Sequence, residues 1–261
     1  MEVLLNAKNV TMQFGGLRAV DAVDMEIRKG EIRALIGPNG AGKTTFFNVV
    51  SGIYIPTAGT VEFGGVDITK LRPHQVTAQG IARTFQNIQL FDNLSALENV
   101  MVGRHIRTHS GVIATFLHTP KMKREEDMCR EKAKEVLEFA GLSRFEKTLA
   151  GNLPYGRKRI LEIARALAGE PLIVMLDEPC AGMNPTETED LINLIYKIRD
   201  SGVTVLLVEH NMRVAMGVSD LVTVLDHGQK ICEGVPEVVQ NNQQVIEAYL
   251  GKEEEEINEP A

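Results

Sequence analysis

The sequence predicts an α/β fold built on a mainly parallel β-sheet, and three apolar stretches carry that prediction. They span residues 32–36, 172–176 and 203–208. The second is hydrophobic without interruption, as is typical of a strand buried on both faces of a sheet that helices cover. In open α/β sheets ligands bind beyond the carboxyl ends of the strands. We therefore expect a binding site where these three stretches end.

Composition limits the class of protein. The chain has 261 residues, of which 44% are hydrophobic and 24% charged, as in a globular protein with a buried core. Its net charge of -7 argues against a dedicated nucleic-acid binder. We find neither a signal peptide nor the run of about eighteen apolar residues that a spanning helix needs, so we expect a cytosolic protein. The three cysteines have no metal-ligand spacing and are expected to be reduced.

The remaining elements follow in chain order. Residues 3–14 and 23–28 predict paired strands, the second alternating between apolar and charged residues. Residues 68–82 have a polar, helical pattern. From position 97 to about 150 the chain is richer in charge, and apolar residues at helical spacing between 129 and 140 predict a helical insert. Asn184, Pro185 and Glu187 predict a capped helix start.

A phosphate-binding loop pattern follows the first buried strand. Its residues are Gly37, Pro38, Asn39, Gly40, Ala41, Gly42, Lys43, Thr44 and Thr45. Glycines let backbone N–H groups surround an anion, Lys43 supplies a cation, and the hydroxyl of Thr44 is suited to Mg²⁺. We therefore predict a nucleoside triphosphate as the ligand, with Mg²⁺.

Further polar residues lie at predicted strand ends. Asp177 and Glu178 follow residues 172–176, and adjacent acids point in different directions, so one can face Mg²⁺ and the other an attacking water. His210 closes residues 203–208, where a structural hydrogen-bonding role and a phosphate-sensing role are both open. Gln86 is an amide that suits Mg²⁺ or a water, although most surface glutamines are only solvated.

Two aromatic residues add weaker signals. Phe14 lies beside a glycine turn shortly before the phosphate-binding loop, where it is suited either to stacking on adenine or to closing a strand in the core. Tyr155 and Gly156 open an apolar-periodic helix over 158–168, so free N–H groups there are available to an anion.

Taken together, these motifs resemble the ATP-binding subunits of ABC transporters over nearly the whole chain. Residues 37–45 resemble the Walker A loop, 172–178 the Walker B strand and 181–185 the D-loop. By the same resemblance, Phe14 is the adenine-stacking aromatic, Gln86 the Q-loop residue, Glu178 the catalytic acid and His210 the switch histidine. Residues 153–157 occupy the signature position, with Pro154 in place of the family's Ser and Arg157 in place of its Gln.

The resemblance implies an architecture. It is a P-loop NTPase core of the RecA-like type from residues 1–95 and 165–235, with an N-terminal antiparallel β subdomain and an inserted α-helical subdomain over 96–164. Residues 1–250 then form a single ATPase domain, and 251–261 an acidic tail that we expect to be disordered.

The resemblance also implies roles and partners. Glu178, His210 and Gln86 are the catalytic residues, while Thr44, Gln86 and Asp177 hold Mg²⁺. Tyr155 and Gly156 complete the ATP site of a facing ATPase subunit, either a copy or a related chain. Two integral-membrane permeases and, indirectly, a periplasmic solute-binding protein are the other expected partners, which places the chain at the cytoplasmic face of the inner membrane.

Several motifs are most similar to the ATPase subunit of bacterial branched-chain amino-acid importers. They lie at 14–17, 36–48, 83–86, 155–165 and 181–185. Subunits that serve urea or short amides share most of these features, so the solute stays open. Lipid export, a soluble DNA-repair or translation role, and a regulatory module without turnover are competing functions for such a chain. The acidic balance argues against the soluble roles, and Glu178 with His210 against the module.

Overall fold

The computed structural model of the chain describes residues 2–107 and 120–249, which form two β-sheets and the helices that cover them. The strands are β1 (Val3–Phe14), β2 (Leu17–Arg28), β3 (Ile32–Ile36), β4 (Ala58–Phe63), β5 (Val66–Asp67), β6 (Ile81–Arg83), β7 (Ile173–Asp177), β8 (Thr204–Val208), β9 (Leu221–Asp226) and β10 (Gln229–Gly234). The helices are α1 (Lys43–Val50), α2 (Pro73–Ala78), α3 (Ala96–Gly103), α4 (Pro120–Phe139), α5 (Tyr155–Leu167), α6 (Pro185–Asp200), α7 (Met212–Val218) and α8 (Pro236–Gln240).

The N-terminal strands form the antiparallel sheet that was expected. Their spatial order is β2-β1-β4-β5. Strand β2 starts at Leu17, earlier than position 23, because Phe14 pairs with Leu17 across a tight turn at Gly15 and Gly16. The alternation of Val23, Met25 and Ile27 buries one face of β2 against the core.

The main sheet is mostly parallel and has the order β10-β9-β3-β8-β7-β6. Strands β9, β3, β8, β7 and β6 run parallel, and only β10 is antiparallel to its neighbour β9. Because parallel strands end at the same edge, this order brings the ends of β3, β8 and β7 side by side. The strand ends that carry the predicted site residues are therefore neighbours.

Both faces of the main sheet are buried, as the uninterrupted hydrophobicity predicts. Along β7, Ile173 and Met175 join a core cluster shared with the antiparallel sheet and α1, while Val174 and Leu176 join a second cluster beneath the other helices. Strand β8 alternates in the same way. Each strand thus contributes to two cores, which fixes its register and the position of its carboxyl end.

The expectation of a helix over 68–82 is wrong at both ends. Only Pro73–Ala78 is helical, and Ile81–Arg83 is the edge strand β6, paired in parallel with β7. The helix ends before Gly80, whose φ of +107° does not continue it. The polar composition hid a short buried strand, since Ile81 and Ala82 are almost fully covered.

Other local predictions are confirmed. Helix α6 begins with a capping box in which the side chain of Asn184 accepts from the Glu187 amide at 3.0 Å. Cys129, Ala133 and Leu137 form the buried stripe of α4. The sequence pattern also predicts a short helix over 245–250, and residues 243–249 are helical, while residue 250 lies outside the described residues. The expected tail at 251–261 lies outside the described residues, and within those no helix is long and apolar enough to cross a bilayer.

Candidate functional site

The phosphate-binding loop lies between β3 and α1, in the predicted strand, loop and helix context. Gly37 and Gly42 both have positive φ, at +151° and +97°. A Cβ at Gly37 would collide with the carbonyl oxygen of Leu225, and one at Gly42 with that of Ala19. The loop thus fits against β9 and β2 only because these two positions lack side chains.

Lys43 is the first residue of α1, and it is 7% exposed. Its Nζ donates to the carbonyl oxygens of Gly37 at 2.6 Å and Pro38 at 2.9 Å, so the side chain arches back over the loop. Helix α1 has no acidic residue in its first turn. The cation, the helix N-terminus and the glycine-rich backbone together fit a bound triphosphate.

The other loop residues differ in exposure. Asn39 and Gly40 are exposed at the tip, while Ala41 is buried and its carbonyl accepts from the Gly228 amide at 3.1 Å. Thr44 is exposed and Thr45 is partly exposed. The hydroxyl of Thr44 is therefore accessible at the start of α1.

Asp177 ends β7, and it is held by an arginine that the sequence reasoning did not single out. Its Oδ2 lies 2.9 Å from Nη2 of Arg83, and both side chains are less than a tenth exposed. Arg83 also donates to Oδ1 of Asn48 at 2.7 Å and to Oγ of Ser51 at 2.8 Å. Arg83 therefore ties the acid at the end of β7 to helix α1 and to strand β6.

Glu178 follows Asp177 in a backbone conformation that a side chain rarely adopts, with φ of +46°. Its amide donates to the carbonyl of Val208 at 2.9 Å, which anchors it to the end of β8. Left-handed residues other than glycine are found preferentially where function requires them. The turn directs the Glu178 side chain away from that of Asp177, toward two other predicted residues.

Those residues are Gln86 and His210, and the structure brings both to Glu178. Gln86 Nε2 donates to Glu178 Oε2 at 3.0 Å. The His210 Nδ1 atom lies 3.6 Å from the same oxygen. Two side chains from separate segments thus converge on the carboxylate of Glu178 at the carboxyl edge of the main sheet.

Phe14 lies at the end of β1 and is 43% exposed. Its ring makes an edge contact with Tyr54, with the centroids 5.4 Å apart. The same hairpin reaches the phosphate-binding loop further on, where Ala19 lies against Gly42. A half-exposed ring fits stacking on a base better than it fits a closed core.

Tyr155 and Gly156 begin α5, three residues earlier than the expected helix over 158–168. Tyr155 is 44% exposed and its ring lies against Gly182, whereas Gly156 is buried against the side chain of Glu187. In the part of the chain that the structure describes, no hydrogen bond joins either residue to the chain's own phosphate-binding loop. Of the two, Tyr155 has the larger surface open to a facing molecule.

The donor atoms near the loop fit Mg²⁺ held together with phosphate. Thr44, Gln86 and Asp177 offer hydroxyl, amide and carboxylate oxygens, the ligands that Mg²⁺ prefers. Among the described residues, no three His, Cys, Asp or Glu side chains form a ready metal cluster. That pattern fits a cation held partly by the nucleotide, since Mg²⁺ sites commonly use one or two carboxylates and substrate phosphates.

Comparison with known proteins decides the family. The ABC transporter family model matches residues 20–181, and a model described as branched-chain amino acid ATP-binding cassette transporter matches residues 229–255. The chain belongs to the ABC transporter family. It is an ATP-binding subunit and an ATPase, so the predicted family and nucleotide are confirmed.

The relatives match this ABC ATPase over nearly its full length. A Pseudomonas aeruginosa protein named high-affinity branched-chain amino acid transport ATP-binding protein BraF is 43% identical over 95% of the chain and 98% of its own length. The Escherichia coli K12 protein LivG, with the same description, is 42% identical over the same shares. A protein of Archaeoglobus fulgidus, named as a probable LivG, is 37% identical over 97% of the chain and 98% of its own length.

Solved structures confirm the predicted fold class. A crystal structure of an ATP-binding cassette in its ADP conformation has a TM-score of 0.84 and 33% identity, covering 96% of this chain and all of the other. A dimeric cassette bound to ADP and Pi has a TM-score of 0.75 and 27% identity, covering 89% and 99%. The core sheet, the antiparallel sheet and the helices described above are therefore those of an ABC ATPase.

A buried carboxyl behind the site of this ABC ATPase was also missed. Glu209, the residue before His210, is 1% exposed and accepts from the Cys180 amide at 3.0 Å. It therefore links the end of β8 to the segment that follows Glu178. Burial raises the pKa of Glu209, and burial also raises the pKa of the Cys180 thiol. The position of Glu209 directly before His210, at the end of a predicted strand, was the sequence signal that could have identified it.

Proposed function

We propose that this ABC ATPase is the ATP-hydrolysing subunit of an importer for branched-chain or other hydrophobic amino acids. The solute is supported by the names of relatives that are 42% and 43% identical over 95% of the chain. The family model matched at 229–255 supports the same solute class. The observation that carries the ATPase mechanism is the convergence of Gln86 and His210 on Glu178.

The nucleotide is held by the loop at 37–45. Its backbone N–H groups and Lys43 bind the phosphates, for which Lys43 exchanges its present carbonyl partners for phosphate oxygens. Phe14 stacks on the adenine ring. Thr44, Gln86 and Asp177 would hold Mg²⁺, and the bound ion would neutralise charge on the phosphate oxygens.

Hydrolysis depends on the carboxylate of Glu178. This carboxylate orients and polarises the attacking water. His210, whose Nδ1 lies beside Oε2 of Glu178, stabilises the charge on the γ-phosphate. Gln86 donates to Glu178 and fixes the direction of the carboxylate. Positioning and electrostatic stabilisation thus account for the chemistry without a covalent intermediate.

A facing ATPase chain completes each site. The exposed ring of Tyr155 and the N-terminus of α5, with Gly156, are offered to the nucleotide of that chain. The dimeric state of the related cassette supports this arrangement. The facing chain is either a second copy or a related ATPase, and one chain alone is expected to hydrolyse ATP slowly.

The permeases dock on a groove between the core and the helical insert. The groove encloses a cavity of about 200 Å³. Its lining includes Ile53, Phe85, Gly103 and Arg165, and the first two side chains are more than two-fifths exposed. This exposed apolar surface lies next to Gln86 and suits a protein partner. A partner that binds there would contact the segment that carries Gln86 to the nucleotide site. The chain thus works as a peripheral subunit at the cytoplasmic face of the inner membrane, and the periplasmic solute-binding protein acts through the permeases.

The test is reconstitution of the assembled transporter in vesicles with its solute-binding protein. We expect phosphate release to rise when leucine, isoleucine or valine is added, and Glu178→Gln to abolish the rise. Stimulation by urea or a short amide instead would reassign the solute, and stimulation by lipid without a binding protein would indicate export. Absence of phosphate release from the complete assembly would refute the motor itself.

A further inference from the structure

Arg159, a residue of helix α5, is fully buried, at 0% exposure. A charged side chain is almost never so completely buried unless it is paired. Nη1 donates to the carbonyl oxygen of Phe85 and Nη2 to that of Gln86, each at 2.8 Å. One side chain thus binds two successive backbone carbonyl groups. The second belongs to Gln86, whose side-chain amide contacts Glu178.

Glu162, one turn further along α5, extends this hold. Its Oε2 lies 3.1 Å from Nη1 of Arg159, and its Oε1 accepts from the backbone amide of Gln89 at 3.1 Å. Glu162 is 1% exposed, so the pair compensates its charges in a dry environment. The segment 85–89 has no regular secondary structure of its own. The buried pair therefore replaces the backbone hydrogen bonds that a strand or helix would supply.

Arg159 also reaches the start of its own helix. Its Nη2 donates to Oη of Tyr155 at 3.3 Å, and the ring of Tyr155 lies against Gly182. A continuous chain of contacts therefore runs from the exposed N-terminus of α5, through Arg159, to the backbone of Gln86, and from its side chain to Glu178.

We propose that Arg159 is a positioning residue for hydrolysis, which fixes segment 85–89 on helix α5 so that the side chain of Gln86 meets Glu178. Arg159 does not touch the nucleotide; it acts through Gln86. This inference rests on the proposed roles of Gln86 and Glu178. Its consequence is that segment 85–89 and α5 move as one body, so a displacement of Tyr155 at the facing subunit changes the geometry at Glu178.

The first measurement needs no nucleotide. Arg159→Lys keeps the charge beside Glu162, but one ammonium group cannot span both carbonyls as the planar guanidinium does. In the full-length nucleotide-free chain, we expect hydrogen exchange of the Gln89 amide, the one amide of segment 85–89 that donates a described hydrogen bond, to become about ten-fold faster, because its acceptor Glu162 loses its partner and the segment loses its anchor. The amide of Glu178, bonded to Val208, should exchange at its original rate.

A matched control is Arg104→Lys. Arg104 likewise pairs with a glutamate, Glu170 at 2.8 Å, and contacts a backbone carbonyl, that of Ala168 at 3.4 Å. Neither of these two bonds involves segment 85–89. This variant should leave both the exchange rates and the turnover unchanged.

The second measurement is phosphate release by the assembled transporter in a double-mutant cycle with Gln86→Ala. Arg159→Lys should lower kcat about ten-fold in the wild-type background and less than about two-fold in the Gln86→Ala background, since the two residues act on one step. The KM for ATP should stay within about two-fold of its original value.

Unchanged exchange of the Gln89 amide would overturn the proposal, and so would an equal fractional loss of kcat in both backgrounds. A Gln86→Ala variant with full turnover would instead overturn the assignment of Gln86 in the proposed function. In that case the exchange rates alone decide whether Arg159 anchors the segment.

Discussion

Replacing Arg83 by methionine should strongly destabilise the nucleotide-free chain. The substitution leaves Asp177 as a buried carboxylate, 6% exposed at its side chain, without its cation. Asn48 and Ser51 lose a donor at the same time. Removing one partner of a buried ion pair costs about 3–5 kcal/mol, because the remaining charge is uncompensated. That cost is a large part of the ~5–15 kcal/mol that holds a typical domain folded.

Urea unfolding followed by circular dichroism measures this loss directly. In the double variant with Asp177→Asn no charge remains buried, so we expect the single-variant loss to shrink by at least about 2 kcal/mol. Arg199→Met is the control, because its partners Asp200 and Asp220 are exposed and Arg199 itself is 30% exposed, so the loss should be less than about 1 kcal/mol. A loss below about 1 kcal/mol for Arg83→Met, or strict additivity in the double variant, would show that the Arg83–Asp177 pair does not stabilise the fold.

Three further predictions follow from the site and its supports. Glu178→Gln should still bind ATP, yet phosphate release should fall by about 10²–10⁴-fold because the amide cannot act as a base; normal turnover would remove Glu178 from its role. Asn184→Ala deletes the cap of α6 and should lower the free energy of unfolding by about 1 kcal/mol, so an unchanged melting temperature would contradict the capping argument. Burial raises the pKa of Glu209 above its ordinary 4.5, so its contribution to stability is present below that pH and is lost as pH rises through the folded-state pKa. Glu209→Gln should therefore gain stability relative to the wild type as pH rises from the ordinary pKa of Glu209 to its folded-state pKa. If the difference in free energy of unfolding between the two proteins does not change with pH, burial does not raise this pKa.

The parts of the site that could be predicted from sequence are those encoded locally. The phosphate-binding loop has its glycines, Lys43 and Thr44 in consecutive positions, so spacing alone identifies it. The sequence predicts Asp177 and His210 near each other because buried parallel strands end at one edge of a sheet. This prediction requires only that the two apolar runs before them form strands of one sheet. Those predictions needed no knowledge of long-range contacts.

The supporting residues could not be found in this way. Arg83 and Asp177 are 94 positions apart, and Arg159 and Phe85 are 74 positions apart. Nothing near either arginine in the sequence indicates its partner, and a charged side chain is by default expected at the surface. The short strand at 81–83 was mistaken for helix for the same reason, since its identity depends on pairing with β7.

A structure of the chain with Mg²⁺ and a non-hydrolysable ATP analogue would show whether the predicted site residues meet around one triphosphate. We expect Lys43 to leave the carbonyl oxygens of Gly37 and Pro38 for the phosphates, Thr44, Gln86 and Asp177 to hold the ion, and Glu178 to face the γ-phosphate. A nucleotide bound elsewhere, or a Lys43 still on its loop carbonyls while Asp177 and Gln86 remain out of reach of the ion, would contradict this expectation.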